Sequence, residues 1–258
     1  MVVLITGATD GLGRGLARAL DAAGETVLVH GRSEERIADT LAELSDRARG
    51  YRADLASLDE VRRLADEVLA AEPRLDVLVN NAGIGTTVPG GDERQESADG
   101  YELRFAVNYL AGFLLSRRLL ELLRRSAPSR IVNVASAGQS AIDFDDVMLE
   151  RHYSPVQAYC QSKLAQVMFT FDLAEELTGD GVTATCLHPA TYMPTKIVRS
   201  PASTLAEGID ATMRLITGPA EEVGGRYFSG THEARADAQA YDADARRRLR
   251  ELSERLTA

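Results

Sequence analysis

The chain has 258 residues with a formal net charge of −10, and 45% of its residues are hydrophobic while 26% are charged. Such a chain can bury a sizeable core and remain soluble, and the lack of repeats and low-complexity tracts argues against a solenoid or a disordered protein. An acidic chain that has no basic cluster is a poor candidate for binding nucleic acid or an anionic membrane, so neither partner is expected.

Short apolar runs alternate along the chain with longer stretches of helical periodicity. Seven of these runs are predicted strands, at residues 2–6, 26–30, 50–53, 75–80, 130–135, 182–188 and 225–228. The predicted helices cover residues 12–23, 33–48, a stretch that opens at Ser57, and then 98–125, 154–178, 204–217 and a polar C-terminal helix from about 238.

Capping residues mark two of the helix starts. Ser57 is followed three residues later by Glu60, which is the pattern of a capping box. Ser154 precedes Pro155, a residue favoured at the first helical position, and Gln157 follows at the third. The second pattern fixes the start of the helix at 154–178.

Alternating strands and helices predict an α/β fold, a Rossmann-type doubly wound parallel sheet of about seven strands with helices on both faces. Neither a linker nor a shift in composition divides the chain, so residues 1–258 are predicted to form a single domain. Ligands of such sheets bind beyond the carboxyl ends of the strands. The segments at that edge are 6–13, 30–33, 80–85, 136–139 and 188–195.

Three glycines, Gly7, Gly11 and Gly13, follow the first strand and open the first helix. Glycine lets a backbone approach a pyrophosphate closely, and a helix N-terminus offers free N–H groups and partial positive charge. In this strand–turn–helix context the pattern predicts a dinucleotide site. The alternative is a tight turn that binds no ligand.

The end of the second strand indicates which dinucleotide is used. An enzyme that prefers NAD needs a carboxylate here for the ribose 2′-OH, and that carboxylate would repel a 2′-phosphate. The sequence reads His30-Gly31-Arg32-Ser33, without an acid, and the guanidinium of Arg32 suits a phosphate. We therefore expect NADP(H) rather than NAD(H). The alternative is a surface arginine, in a chain where 27 of 29 basic residues are arginines.

Tyr159 and Lys163 lie four residues apart, a spacing that puts both side chains on one face of a helix. A neighbouring ammonium lowers the pKa of a tyrosine from about 10, so the pair is a tunable proton donor. The chain has only two lysines, Lys163 and Lys196, and eight tyrosines. Random placement would give this spacing in only about 6% of chains.

These motifs, taken together, resemble the short-chain dehydrogenase/reductase family over nearly the whole chain. The T-G-x-x-x-G-x-G loop begins at Thr6, an N-N-A-G segment covers residues 80–83, Ser136 ends the fifth strand, and the Tyr-x-x-x-Lys pair starts at Tyr159. The resemblance implies a catalytic site of four residues: Asn108, Ser136, Tyr159 and Lys163.

The resemblance also implies a role for each of the four. Tyr159 would protonate the nascent alkoxide, or deprotonate an alcohol in the reverse direction. Ser136 would hydrogen-bond the substrate oxygen. Lys163 would hold the nicotinamide ribose and lower the pKa of Tyr159, and Asn108 would complete a proton relay through water.

The cofactor site implied by the resemblance is larger. Its residues are Gly7, Thr9, Asp10, Gly11, Leu12, Gly13, Arg32, Ser33, Asp54, Leu55, Asn81, Ala82, Gly83, Tyr159, Lys163, Pro189, Thr191, Tyr192 and Thr195. One departure from the family concerns the end of the sixth strand, where Pro-Gly is usual and Pro189 is followed here by Ala190. Alanine takes positive φ less readily than glycine, and the threonine that usually meets the cofactor lies one place later, at Thr195.

Within the family, residues 142–146 and 158–165 resemble the retinol-dehydrogenase-like branch, which often handles lipophilic carbonyls and alcohols. The expected activity is therefore an NADP-dependent carbonyl reductase or alcohol dehydrogenase acting on a lipophilic ketone or aldehyde, without carrying over retinoid activity. One alternative is a non-catalytic NADP(H)-binding sensor, which would tolerate loss of Tyr159 or Lys163. Another is an epimerase or dehydratase, which would need a G-x-x-G-x-x-G loop and an added substrate domain.

The remaining features predict ordinary structural roles. The four histidines are scattered and no metal site is expected, while Cys160 and Cys186 suggest reduced thiols in a cytoplasmic protein. No apolar run approaches the ~18 residues of a membrane span, and no signal peptide is expected. The run at 246–248 of three arginines is interpreted as a solvated helix face. The family often pairs its long helices across an interface, which implies a homodimer or homotetramer.

Overall fold

A computed structural model of the protein describes residues 1–86, 93–194 and 201–258. The strands are β1 (Val2–Ile5), β2 (Thr26–Gly31), β3 (Arg49–Arg52), β4 (Val77–Asn80), β5 (Ser129–Val134), β6 (Val182–His188), β7 (Tyr227–Ser229) and β8 (His232–Glu233). They form one sheet in the order β3-β2-β1-β4-β5-β6-β7-β8. All pairs are parallel except β7 with β8.

The predicted fold is confirmed, with one strand more than the expected seven. The helices are α1 (Gly11–Ala22), α2 (Glu34–Leu41), α3 (Leu58–Ala71), α4 (Leu103–Phe105), α5 (Ala111–Arg125), α6 (Pro155–Glu176), α7 (Leu205–Thr217), α8 (Ala220–Val223) and α9 (Ala243–Leu256). None of the helices in the described parts of the chain is long and apolar enough to cross a membrane.

The core lies in two layers, one on each face of the sheet. Leu4, Leu28 and Leu78 pack on one face with α3, α5 and α6. Their neighbours in sequence, Val3 and Val27, pack on the other face with α1 and α7. This follows from the two-residue period of a strand, which sends successive side chains to opposite faces. Helices on both faces explain why the central strands are apolar throughout.

The structure confirms the predicted cap at α6 and corrects the one at α3. The Ser154 hydroxyl accepts from the Gln157 N–H (3.4 Å), with Pro155 at the first helical position. Ser57 likewise caps α3, because its hydroxyl accepts from the Glu60 N–H (3.4 Å). The Glu60 carboxylate accepts from the Asp54 N–H (2.9 Å) instead of the Ser57 N–H, so the second hydrogen bond of the predicted capping box is not formed. A complete capping box forms at the start of α7, between Thr204 and Glu207.

The helix predicted at 98–125 is shorter and interrupted. It begins only at Leu103, where the buried Glu102 carboxylate accepts from the Phe105 N–H (2.7 Å). Residues Ala106–Leu110 then form one π-helical turn before α5. Such turns recur at functional sites, and this one contains Asn108.

The C-terminal helix α9, preceded by a 3-10 turn at Ala238–Tyr241, packs against α6. The Ser253 hydroxyl lies 2.6 Å from the Tyr109 hydroxyl. Arg247 is exposed and pairs with acids of its own helix, as the sequence predicted. Arg246 departs from the predicted solvated face, because its side chain is 10% exposed and pairs with Glu175 of α6 (2.7 Å).

Candidate active site

The carboxyl ends of β1, β4, β5 and β6 meet at one edge of the sheet, where the strand order reverses between β1 and β4. At the end of β1 the glycines are required by geometry. Gly7 and Gly11 have φ of +65° and +49°. A Cβ on Gly13 would lie 2.3 Å from the Gly7 carbonyl oxygen and 2.6 Å from Nδ2 of Asn81. The backbone therefore forms a tight cradle at the N-terminus of α1, where the Asp10 carboxylate accepts from the Gly11 N–H (2.9 Å), and such a helix N-terminus suits a pyrophosphate.

The predicted N-N-A-G segment braces this glycine loop. The Thr6 hydroxyl accepts from the N–H groups of Asn81 (2.9 Å) and Ala82 (3.0 Å). In return, Nδ2 of Asn81 donates to the carbonyl oxygens of Thr6 (2.8 Å) and Gly7 (3.2 Å). The end of β4 thus holds the loop that follows β1.

His30 braces the same loop from the other side. Its Nδ1 accepts from the Gly7 N–H (3.1 Å), and its Nε2 donates to the Ala53 carbonyl oxygen (3.1 Å). Complete burial lowers the pKa of His30 to about 4, so the ring is neutral at neutral pH. This confirms a structural role for His30, although the sequence did not predict that its partner would be the glycine loop.

The cofactor rim around the end of β2 combines predicted and unpredicted residues. Arg32 is exposed, and it makes no hydrogen bond or ion pair with any residue that the structure describes. Ser33 caps α2 by accepting from the Arg36 N–H (3.3 Å). The Arg36 guanidinium reaches back to the Thr9 carbonyl oxygen (3.1 Å) and the Asp10 carboxylate (2.9 Å). Arg36 was not among the predicted cofactor residues, because its contacts with Thr9 and Asp10 join positions 27 and 26 residues apart.

Asp54 and Leu55, which the family resemblance places in the cofactor site, follow β3 at the same edge of the sheet. The Asp54 carboxylate accepts from the Ala56 N–H (3.0 Å), and Leu55 is buried. The residues at this edge fit a nicotinamide dinucleotide, because they provide a glycine cradle, a helix N-terminus and the exposed guanidinium of Arg32.

The catalytic candidates converge beyond the end of β5. Ser136 follows β5 and Tyr159 lies in the second turn of α6. A Cβ on Gly138 would lie 3.5 Å from the Ser136 hydroxyl oxygen and 3.6 Å from Cε1 of Tyr159, so both side chains border the same glycine. The Ser136 hydroxyl also accepts from the Gly138 N–H (3.0 Å). Nζ of Lys163 lies 5.8 Å from the centre of the Tyr159 ring. Ser136, Tyr159 and Lys163 are therefore brought together as the sequence predicted.

The electrostatics differ from the prediction. Burial raises the pKa of Tyr159, and the hydrogen bond from Ser136 opposes the rise only in part. Burial also lowers the pKa of Lys163, to about 7. The predicted lowering of the Tyr159 pKa by Lys163 is not seen, since burial is the largest influence on the phenol. Nζ of Lys163 donates instead to the Val134 carbonyl oxygen (2.9 Å) and to Oε1 of Gln166 (2.9 Å).

Asn108, in the π-helical turn, ties two parts of the site together. Its Oδ1 accepts from the Ile84 N–H (2.6 Å), and its Nδ2 donates to the Ile84 carbonyl oxygen (3.1 Å) and the Ser162 hydroxyl (3.0 Å). A Cβ on Gly83 would lie 3.3 Å from Oδ1 of Asn108 and 3.4 Å from Nζ of Lys163. Asn108 therefore lies beside Lys163, with its side chain engaged by protein groups.

The main chain of Ser136 is held by residues that the sequence did not indicate. Its carbonyl oxygen accepts from the Tyr227 hydroxyl (3.0 Å) and from Nε2 of Gln139 (2.8 Å). Oε1 of Gln139 in turn accepts from the Asp237 N–H (2.9 Å). No local signal could have revealed the contacts of Tyr227 and Asp237, since they join residues 91 and 98 positions apart.

The same loop has a second anchor in the C-terminal region. Oε1 of Gln239 accepts from the Ile142 N–H (2.7 Å), and its Nε2 donates to the Ile142 carbonyl oxygen (3.2 Å). The Gln239 side chain thus bonds both the N–H and the carbonyl oxygen of Ile142, in the loop between β5 and α6.

The segment after β6 is described as far as residue 194, so the predicted contact of Thr195 lies outside the described residues, as does Lys196. Pro189 follows β6 directly, and the Thr191 hydroxyl lies 3.0 Å from Nε2 of His188. The left-handed residue of this turn is Tyr192, with φ +50°, and not Ala190. The positive φ of this turn therefore lies at Tyr192, two residues after Ala190, which stands where the family usually has glycine.

Comparison with known proteins gives a consistent result. The sequence model for the family described as short chain dehydrogenase matches residues 1–205. Retinol dehydrogenase 13 of Mus musculus is 37% identical over 281 residues, which cover 98% of this chain and 83% of that protein.

Two solved structures are also similar. An uncharacterized protein from Mycobacterium Paratuberculosis superposes with a TM-score of 0.82 at 29% identity, covering 99% of this chain and 92% of that one. RhlG of Pseudomonas aeruginosa, solved as an NADP active-site complex, has a TM-score of 0.70 at 29% identity and covers 88% of this chain and 93% of that one.

Proposed function

This chain belongs to the short-chain dehydrogenase/reductase family, and we propose that it is an NADP(H)-dependent oxidoreductase acting on the carbonyl or secondary alcohol of a small molecule. The observation that carries the proposal is the convergence of Ser136, Tyr159 and Lys163 at the edge of the sheet that also holds the glycine cradle. The cofactor, when bound, supplies or accepts the hydride. The chain itself must bind the substrate oxygen and move a proton.

The proton donor is Tyr159. Because burial raises its pKa, the phenol is protonated at neutral pH and is available to a nascent alkoxide. Ser136, whose hydroxyl borders the same glycine as the Tyr159 ring, is placed to bind the substrate oxygen beside the phenol. This arrangement favours carbonyl reduction near neutral pH, and oxidation of an alcohol would require a more alkaline solution.

Lys163 places a cation beside both the phenol and the expected position of the nicotinamide ribose. An ammonium donates three hydrogen bonds, and protein oxygens accept two of them here. The third donor is available to a ribose hydroxyl. Asn108 holds the adjoining segment at Ile84, which keeps Lys163 close to the loop that follows β4.

The preference for NADP(H) is supported by the charge at the end of β2. Arg32 follows β2 directly, is exposed, and offers its guanidinium to a 2′-phosphate. Arg36 adds a second guanidinium nearby, held by the Thr9 carbonyl oxygen and the Asp10 carboxylate. The NADP complex of the similar RhlG protein is in keeping with this choice.

A lipophilic ketone or aldehyde is the proposed substrate class. Val156 and Tyr192 are 56% and 64% exposed, and they lie in the first turn of α6 and just after β6. Val156 lies three residues before Tyr159 on α6 and Tyr192 lies in the segment after β6, so both can offer apolar contact to a substrate. The similarity to a retinol dehydrogenase points to the same class of substrate.

The test is NADPH oxidation across a panel of aliphatic and aromatic ketones and aldehydes, with NADH in parallel. We expect a higher kcat/KM with NADPH, and Arg32→Ala should reduce it by about tenfold or more while affecting NADH less. Arg18→Ala is the matched control, because Arg18 is an exposed arginine that pairs with Glu43 away from the rim.

Two outcomes would contradict the proposal. A clear preference for NADH would overturn the choice of cofactor. Tight NADPH binding without turnover of any carbonyl would instead favour a sensor on the same fold.

We also propose a cytoplasmic location and a homodimer or homotetramer. The location is supported by Cys160 and Cys186, both of which are free thiols. Because α9 lies on α6, an interface on that side of the molecule would include α9. Light scattering would measure the assembly, and a monomeric mass would contradict the proposed oligomer.

A further inference from the structure

Lys163 is a buried cation whose charge is supported by neutral oxygens. Lys163 belongs to α6, and its Nζ donates to the Val134 carbonyl oxygen and to Oε1 of Gln166, both at 2.9 Å. Tyr159 of the same helix faces it as a neutral phenol, and Asn108 and Gly83 approach it from the opposite side. Within the described residues, no carboxylate contacts this ammonium.

The two oxygens play different parts. The Val134 carbonyl belongs to β5, where the sheet fixes its direction. Gln166 supplies a side chain, one turn further along α6, that is itself 3% exposed. An ammonium can only donate, so the carboxamide must turn its oxygen toward Nζ. A hydrogen bond to the charged form of a group favours that form, and it opposes the effect of burial.

We infer that Gln166 is a positioning residue, which keeps Lys163 protonated and directs its remaining N–H toward the cofactor and Tyr159. The geometry assigns this role to the residue three positions after the lysine, on the same face of α6. The effect on the protonation of Lys163 stands independently of catalysis. Its consequence for cofactor binding rests on the proposed function.

The scarcity of lysine makes a direct measurement practicable. Lys163 and Lys196 are the two lysines of the whole chain, so protein labelled with [ε-13C]lysine gives two side-chain signals in an NMR titration. The Lys196→Arg variant leaves the signal of Lys163 alone and assigns it. The titration follows the charge of Lys163 itself and requires neither substrate nor turnover.

Two substitutions should move this titration in opposite directions. Gln166→Leu removes the acceptor, and the midpoint for Lys163 should fall by about one to two pH units. Gln166→Glu keeps the shape and replaces the amide with a carboxylate, so the midpoint should rise. Glutamate is nearly isosteric with glutamine, which preserves the test if the leucine variant does not fold.

Gln161→Leu is the matched control. Gln161 is another fully buried glutamine of α6, two residues before Lys163, but its Nε2 donates to the Val147 carbonyl oxygen (2.6 Å). We expect its loss to leave the Lys163 midpoint in place. A midpoint that stays unchanged in both Gln166 variants would overturn the inference, and so would an equal shift in Gln161→Leu.

Calorimetric titration with NADPH gives a second readout. The pH above which NADPH affinity declines should move with the Lys163 midpoint, downward in Gln166→Leu and upward in Gln166→Glu. NADPH affinity that follows the same pH profile in all variants would contradict the positioning role. If the chain turned over no carbonyl at all, the proposed function would fail while the NMR result would still decide the role of Gln166.

Discussion

The two halves of the site are built by different means. Around the glycine loop, shape comes from the backbone: glycines in left-handed conformations, a threonine, an asparagine and a neutral histidine hold the turn. Around β5 and α6, function depends on buried titratable side chains whose pKa values burial has moved. Substitutions that add volume should therefore impair the first half of the site, and substitutions that remove a titratable group should impair the second.

Tyr159→Phe tests the second half with the largest expected effect. It removes one hydroxyl and keeps the ring, so turnover should fall by about 10²- to 10⁴-fold because the proton donor is gone. NADPH affinity, measured by calorimetry, should stay close to that of the unaltered protein. Retained turnover would show that another group moves the proton and would break the assignment.

Gly13→Ala tests the first half. Its Cβ would meet the Gly7 carbonyl oxygen at 2.3 Å, and backbone atoms can yield only by opening the cradle. An overpacked site typically costs about 1–3 kcal/mol, so NADPH affinity should fall roughly 10- to 100-fold.

Gly24→Ala provides the comparison for Gly13. Gly24 has φ +88° and open space around it, so alanine there should lower the free energy of unfolding by about 1 kcal/mol and leave NADPH affinity unchanged. Equal losses of affinity in the two variants would mean that general destabilisation, and not the shape of the cradle, governs binding.

The neutral His30 gives the glycine loop a dependence on pH. The unfolded chain takes up a proton at this residue near pH 6.5 and the folded chain only near pH 4. Its contribution is therefore complete above pH 6.5 and is lost as the pH falls toward 4, by about 3 kcal/mol. Urea unfolding at a series of pH values should show this loss, and His30→Gln should flatten it.

The exposed His152 is the control for His30. His152→Gln should keep the pH dependence of the unaltered protein. If His30→Gln kept the same slope as well, the loss of stability would come from other groups.

Tyr227→Phe should have the smallest effect. It removes one of the two donors to the Ser136 carbonyl oxygen, a bond worth about 1 kcal/mol, so kcat/KM should fall by about fivefold. Tyr241→Phe is the control, since the Tyr241 hydroxyl accepts from the Ala236 N–H (3.1 Å) and does not contact Ser136. An equal decline in both variants would argue against a specific role for Tyr227.

Local patterns in the sequence predicted much of this molecule. The central strands are apolar and short, their alternation with helices predicts a parallel sheet, and the glycine loop lies where a strand turns into a helix. The Tyr159–Lys163 spacing is likewise local. The π-helical turn was missed because its residues fit an ordinary helix equally well, and β8 was missed because it has only two residues.

The hydrogen bonds that support the site from distant parts of the chain could not be predicted from local sequence patterns. His30 meets Gly7 across 23 positions, and Tyr227 meets Ser136 across 91. The role of Gln166 is local in spacing, three residues from Lys163, but a polar residue at that position is recognised only when its burial is known. The pKa of Tyr159 was predicted in the wrong direction for the same reason, since the rise comes first from burial, which the sequence does not show.

The two glutamine anchors of the loop after β5 make catalytic competence a late event in folding. Gln139 and Gln239 join that loop to a segment 97 or 98 positions further along the chain. Contacts of such long range form only after the intervening strands have assembled, and local opening of the 3-10 turn releases them without disturbing the rest of the sheet. On heating, activity should therefore be lost at a lower temperature than the cooperative unfolding of the domain.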